Sequence, residues 1–184
     1  MRTVCGYARN DARRVPGLRE ETRQSLLDHA PNVALRRTGD GEEWCRLLIE
    51  FWEPVDDLLV VEHDIVFEAH HVAELEACPQ PWCGFVYSIS SQYKACLGFT
   101  RFRKELIEAV PDAMSRAAEC RYDRNDPARV VPDGMPPYAW VRQDTRLAAV
   151  LENAGYRCHE HWPPVEHLNP VQRIIRDIPM GETA

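Results

Sequence analysis

The chain has 184 residues, of which 45% are hydrophobic, enough to bury a substantial core in one domain and too few for two ordinary ones. Its 29 acidic and 22 basic residues give a formal charge of −7. Bulk attraction to a nucleic-acid backbone or an anionic membrane is therefore excluded as an organising feature, while a local basic patch stays compatible with that balance.

The opening run Thr3-Val4-Cys5-Gly6-Tyr7-Ala8 is β-prone and ends in the polar cluster Arg9-Asn10-Asp11, as a central strand does on entering a loop. No signal-peptide-like apolar stretch occupies this end, and no window reaches the roughly 20 apolar residues of a membrane span, so a soluble, cytoplasmic protein is expected. Leu18, Thr22, Leu26 and Leu27 predict a helix over about 17–30, stopped by Pro31-Asn32 before a second strand at Val33-Ala34-Leu35-Arg36. Thr38-Gly39-Asp40 reads as a turn and N-cap for a helix over about 41–53, whose apolar face is Trp44, Leu47, Leu48, Phe51 and Trp52; Pro54 ends it. Leu58-Leu59-Val60-Val61, bounded by acids on both sides, predicts a strand buried on both faces of a parallel sheet. A helix over about 69–77 and a strand at 82–87 continue the β/α alternation. In the second half, 95–102 reads as a strand and 103–118 as a helix interrupted by Pro111. The Asp-, Pro-, Gly- and Arg-rich stretch 121–137 reads as a loop near the site, and 138–154 as a helix stopped by Gly155. The seven cysteines are odd in number and lack a C-x-x-C pair, and they read as reduced thiols, several of them in apolar runs.

Two constellations carry chemistry. Glu62 and Asp64 follow a buried strand, and ligands of open α/β sheets gather at the carboxyl ends of the strands. If the strand continued regularly, both carboxylates would face one side and could share a cation or a nucleotide diphosphate. Acids also mark ordinary solvated strand ends, and the E-x-D spacing by itself is a weak pattern. Four of the seven histidines, His63, His159, His161 and His167, lie beside the acids or in the tail, and neutral imidazole is a good ligand for manganese, zinc or iron. His70 and His71, on the predicted helix, are assigned to capping or stacking.

Leu58 to Ile65, Pro81-Trp82-Cys83-Gly84-Phe85, Leu97 to Phe102, Trp140, Asp144, His159-Glu160-His161 and Val165-Glu166-His167 together resemble small GT-A-type glycosyltransferase-like proteins of actinobacteria and their phages. The resemblance covers most of the chain. It implies a single α/β domain with a GT-A-like, Rossmann-like, mixed and mostly parallel sheet flanked by helices; about 1–90 would form the nucleotide-sugar-binding half, and about 91–184 the half that completes the metal site and meets the acceptor. It implies a divalent cation, Mn2+ or Mg2+, and a nucleotide-sugar donor, UDP- or GDP-linked. Asp64 would be the direct metal ligand, Glu62 would stand in place of the first aspartate of an Asp-x-Asp motif, and His167 or His161 would be the late ligand. Tyr7, Ala8, Arg9 and Asn10 would hold the base and ribose, with Asp40 in the same pocket.

Arg101 or Arg103 offers positive charge to the phosphates, and Asp144 is the preferred acceptor-side general base. Trp140, one helical turn from Asp144, offers an aromatic shelf. The expected function is metal-dependent glycosyl transfer to an acceptor hydroxyl. The acceptor could be a protein, a glycan or modified DNA, and neither acceptor nor oligomeric state is encoded legibly. A nucleotidyltransferase or nucleotide-sugar hydrolase would use the same carboxylates, but Gly6-Tyr7-Ala8-Arg9-Asn10 is not a Gly-rich phosphate loop. A non-catalytic nucleotide- or sugar-binding protein of the same fold is the alternative from another class.

Overall fold

A computed structural model of the chain describes residues 1–8, 17–39, 41–89, 92–94, 97–119, 122–123, 126–130 and 143–168. The first half alternates as expected: β1 (Arg2–Ala8), α1 (Glu20–His29), β2 (Val33–Thr38), α2 (Gly41–Phe51), β3 (Leu58–Val61), β4 (Ile65–Val66), α3 (Ala69–Ala77) and β5 (Trp82–Phe85). Then come β6 (Tyr87–Ile89), β7 (Gln92–Lys94), β8 (Phe99–Phe102), α4 (Lys104–Ala109), α5 (Ala113–Ala118), β9 (Tyr122–Asp123), β10 (Asp126–Val130), α6 (Gln143–Asn153), β11 (His159–His161) and β12 (Glu166–His167).

The main sheet has six strands in the order β11-β5-β8-β3-β1-β2. Every neighbouring pair is parallel except the two made by β8, which runs antiparallel to β3 and β5. The architecture is thus the mixed, mostly parallel α/β sheet with flanking helices that the sequence predicts.

β3 is the centre of this sheet, and its four apolar residues are fully buried. Their alternation feeds two cores. Leu58 and Val60 pack with Val4, Phe102 and the apolar faces of α2, α4, α5 and α6. Leu59 and Val61 pack on the other face with Cys5, Leu26, Leu75, Phe85 and Phe99, under α1 and α3. Each such side chain contributes about 2 kcal/mol of burial, so the strand is pinned in register and its C-terminal end is held rigidly. Gly6 is required on β1, because a Cβ there would enter the Trp44 indole of α2. The Trp52 indole N–H donates to Val110 O at 3.0 Å, tying the end of α2 to the Pro111 break that separates α4 from α5.

Several boundaries differ from the sequence reading. The 82–87 strand divides at Val86, whose N–H bonds His161 O and whose carbonyl accepts from Val165, so Tyr87 starts a separate hairpin. Leu97 and Gly98 form a turn ahead of β8. Part of the expected 121–137 loop is the antiparallel pair β9-β10. Gly155 stops α6 with a φ of 91°, the left-handed conformation that glycine adopts without penalty. His71 accepts the Glu68 N–H on Nδ1 at 2.9 Å, capping α3 as anticipated.

Candidate metal centre

Beyond Val61 the chain does not continue as strand. Glu62 N–H bonds Gly98 O at 2.8 Å, Ile65 N–H reaches back to Glu62 O at 3.4 Å, and Glu62-His63-Asp64 forms a turn. The expected same-side alternation of the two acids is therefore replaced by a turn that folds both over the end of β3. The last segment closes it: β12 pairs antiparallel with β4, setting His167 opposite Ile65, and Leu168 N–H bonds Asp64 O at 2.8 Å. Carboxylate oxygens of Glu62 and Asp64 and a ring nitrogen of His167 then lie within 4.8 Å of one another.

The hydrogen bonding around His167 is informative. Its Nδ1 lies 2.7 Å from Ser88 O, a carbonyl that can only accept, so Nδ1 carries the proton. In the neutral ring Nε2 is then a bare lone pair, and it faces Asp64 Oδ2 at 3.1 Å. Two lone pairs at that distance require a proton or a cation between them. Two ligand atoms bound at about 2.1 Å and near a right angle on one metal would sit about 3 Å apart, so the spacing suits a shared cation. A ring whose other N–H is fixed by a backbone carbonyl is also the usual arrangement of a metal-bound histidine. Asp64 Oδ1, buried, has no hydrogen-bond partner among the described residues.

The local electrostatics agree. Burial first, and the Asp64 carboxylate second, push the Glu62 acid up to about 7, with His167 and a Tyr87 hydrogen bond opposing. Burial disfavours charge on Asp64 too, but the His167 hydrogen bond and the two neighbouring imidazoles outweigh it and hold Asp64 below the usual range. His167 is raised, since Asp64 and the Ser88 carbonyl overcome its burial; His63 is lowered, chiefly by burial. A buried acid raised by the charge of a neighbouring carboxylate marks a site short of positive charge.

Of the other residues singled out by sequence, Tyr7 is half-buried near the end of β1, which runs past the last β3 pairing, and Ala8 pairs its backbone with Thr38. Asp144 lies in the first turn of α6, half-buried, and its charge adds to the upward push on Glu62. Arg9, Asn10, Asp40 and Trp140 lie outside the described residues.

Two assignments are corrected. Arg101 is not beside the acids: because β8 is antiparallel, Arg101 pairs with Leu59 and points back toward the start of β3. There its fully buried guanidinium bonds Asp57 at 3.3 Å and the carbonyls of Cys78 and Gln80 at 2.9 Å each. Arg103 also bonds Cys78 O, at 2.7 Å. His161 is likewise elsewhere, because β11 pairs with β5 at the sheet edge, and its Nδ1 is 2.7 Å from Glu74 Oε1.

Sequence reasoning missed Ser88 and Arg19, and the part that the Tyr87 hydroxyl plays as a hydrogen-bonding group. The buried Tyr87 hydroxyl accepts the Gly98 N–H at 3.1 Å and donates to Glu62. Gly98 has no Cβ to collide with the phenol, which would otherwise be displaced. Arg19 stands at the N-cap position of α1, donates its backbone N–H to His63 O at 3.0 Å, and places its charge near the His63 ring; its Nε is buried without a partner among the described residues. No local motif announces these residues, since each reaches the site through pairing distant in sequence.

No protein-family model and no curated protein matches the chain. Among solved structures it is similar to a glycosyltransferase involved in the glycosylation of the major capsid of PBCV-1, with a TM-score of 0.50 and 13% identity over 89% of this chain and 82% of that one. It is also similar to a putative glucose-1-phosphate thymidylyltransferase from Bacillus anthracis solved with sucrose, with a TM-score of 0.48 and 10% identity over 98% and 97% of the two chains. The first likeness shows a glycosyltransferase-like fold.

Proposed function

We propose that the chain is a metal-dependent glycosyltransferase that moves a sugar from a nucleotide-sugar donor to an acceptor hydroxyl. The observation that carries this reading is the meeting of His167 Nε2 and Asp64 Oδ2, 3.1 Å apart at the carboxyl end of the central strand, with Glu62 beside them. The donor set of two carboxylates and one imidazole fits Mn2+ or Mg2+ with positions left for diphosphate oxygens and water. When bound, such a cation supplies positive charge to the nucleoside diphosphate as it departs.

The chain's own residues would do the rest. Asp64 and His167 anchor the ion, Glu62 completes the site and is steered by Tyr87, and Ser88 O fixes the His167 ring. Tyr7, with Arg9, Asn10 and Asp40, would line the base and ribose end. Arg19 takes the role of phosphate-side cation that Arg101 cannot fill. Asp144 would accept the proton of the acceptor hydroxyl as that oxygen bonds the anomeric carbon; the bond from that carbon to the phosphate oxygen breaks, and its electron pair leaves with the diphosphate. Trp140 would shelve the acceptor sugar or base. Incubation with mixed nucleotide sugars, manganese and candidate protein, glycan or DNA acceptors, read by mass spectrometry, tests this. Transfer of one hexose mass by the wild type and none by Asp64→Ala is expected; cleavage of the donor with no acceptor gaining mass would replace transfer by hydrolysis.

A further inference from the structure

Displaced from the carboxylate centre, His161 is part of a second cluster at the β11 edge of the sheet. β11 is parallel to β5, with His159 opposite Cys83 and His161 opposite Phe85, and α3 ends above them at Cys78. Donor atoms of Cys78, His159 and His161 lie within 4.8 Å of one another. Cys78 is 5% exposed and His161 6%, while His159 is open to solvent, so the cluster is buried on two sides and has an entrance on the third.

The second observation is the state of His161. Its Nδ1 is 2.7 Å from Glu74 Oε1 on α3, and the ring is stacked on Phe85 with centroids 5.1 Å apart. The carboxylate fixes the tautomer with the proton on Nδ1, and Nε2 is left buried without a partner among the described residues. An unpaired buried nitrogen costs about 1–3 kcal/mol, and a carboxylate-oriented histidine presenting a bare Nε2 is the arrangement that holds zinc. Position Cys78 is itself fixed, because Arg101 and Arg103 both donate to its carbonyl.

We propose that Cys78, His159 and His161 Nε2 form a second metal site, for a zinc-class divalent ion, with Glu74 as the positioning residue for His161. One thiolate and two imidazoles select zinc over the hard cations that suit Glu62 and Asp64, so the two centres would take different metals. The fourth position is open to water. Cys83 stays out of the ligand set: its Sγ already accepts from the Arg101 guanidinium at 3.5 Å. Loss of the Cys78 proton on binding leaves a thiolate that the ion neutralises. The ion would clip the edge strand β11 to the end of α3, where pairing to β5 is otherwise its one ladder in the main sheet.

Cobalt(II) titration of the reduced, chelator-stripped protein tests the site through a signal the carboxylate centre cannot give, the near-ultraviolet thiolate-to-cobalt charge-transfer band. Wild type and Asp64→Ala are expected to develop it to one equivalent, with bleaching when zinc is added. Cys78→Ser should lose the band. His159→Ala, an exposed change that leaves packing intact, should weaken cobalt binding at least tenfold, and Glu74→Gln by about 10–100-fold. Absence of the band in wild type, its persistence in Cys78→Ser, or unchanged affinity in His159→Ala would each overturn the proposal.

Discussion

At Asp64 one buried carboxylate oxygen has no partner among the described residues, and the other lies 3.1 Å from Nε2 of His167, whose Nδ1 is held by Ser88 O. Replacing Asp64 with Ala is expected to weaken manganese binding by more than about 100-fold, beyond the effect of losing a supporting residue alone, measured by calorimetry. Glu62 gives a pH signature. Its acid is raised from 4.5 to about 7, so between those values the folded chain holds a proton that the unfolded chain has released. Metal-free stability arising from this group therefore falls as pH rises through that window, by roughly 3 kcal/mol in total. Glu62→Gln removes the slope: in urea unfolding with a chelator present, it should gain on the wild type by about that amount from below pH 4.5 to above pH 7, and manganese should restore the wild type. Equal slopes for both proteins would remove Glu62 from the site. The two acids were legible because they follow a run of four apolar residues. The hydrogen-bonding parts of Tyr87 and Ser88 were not, because a side chain's partner across a hairpin or a terminal strand leaves no local periodicity.

At the scale of elements, the direction of one strand decides which arginine can serve. The apolar run around Phe99 and Phe102 reads equally well in either direction, and only the antiparallel pairing with β3 turns Arg101 toward Asp57 at the opposite end of the sheet. A buried guanidinium with these partners is structural, so Arg101→Met should cost about 3 kcal/mol or more in unfolding free energy and leave the manganese affinity of the carboxylate centre in the folded protein unchanged. Arg19→Ala should do the reverse, raising KM for the nucleotide sugar several-fold with little change in stability. Helices α1, α2 and α3 were legible from their spacing and their stops, and the break between α4 and α5 from Pro111. The β3 end failed as a strand because, after a last ladder-like bond from the Glu62 N–H to Gly98 O, the Ile65 N–H turns back to Glu62 O and closes a turn. His161 was separated from His167 by the same kind of event, since β11 joins the main sheet and β12 joins β4.

For the whole molecule, the carboxylate centre links the end of the central strand to the last described segment, so an ion there would hold distant parts of the sequence together. Manganese at 100 times its Kd would stabilise by about 2.7 kcal/mol, a rise in Tm of roughly 5–10 °C for a domain of this size. Scanning calorimetry should show that rise in the wild type and lose it in Asp64→Ala; zinc should stabilise both, through the second centre. No helix among the described residues is long and apolar enough to cross a membrane. The α/β class was legible across the first half because each strand and helix carries its own period. The closing tail was not, since its role depends on which distant edge it meets. The most direct measurement is calorimetry of UDP- and GDP-sugars with the wild type and Asp64→Ala, each with and without manganese. Binding of at least one such donor by the wild type that depends on manganese, and its loss in Asp64→Ala, is the predicted result; failure of every UDP- and GDP-sugar to bind in the presence of manganese, or equal binding by the variant, would contradict it.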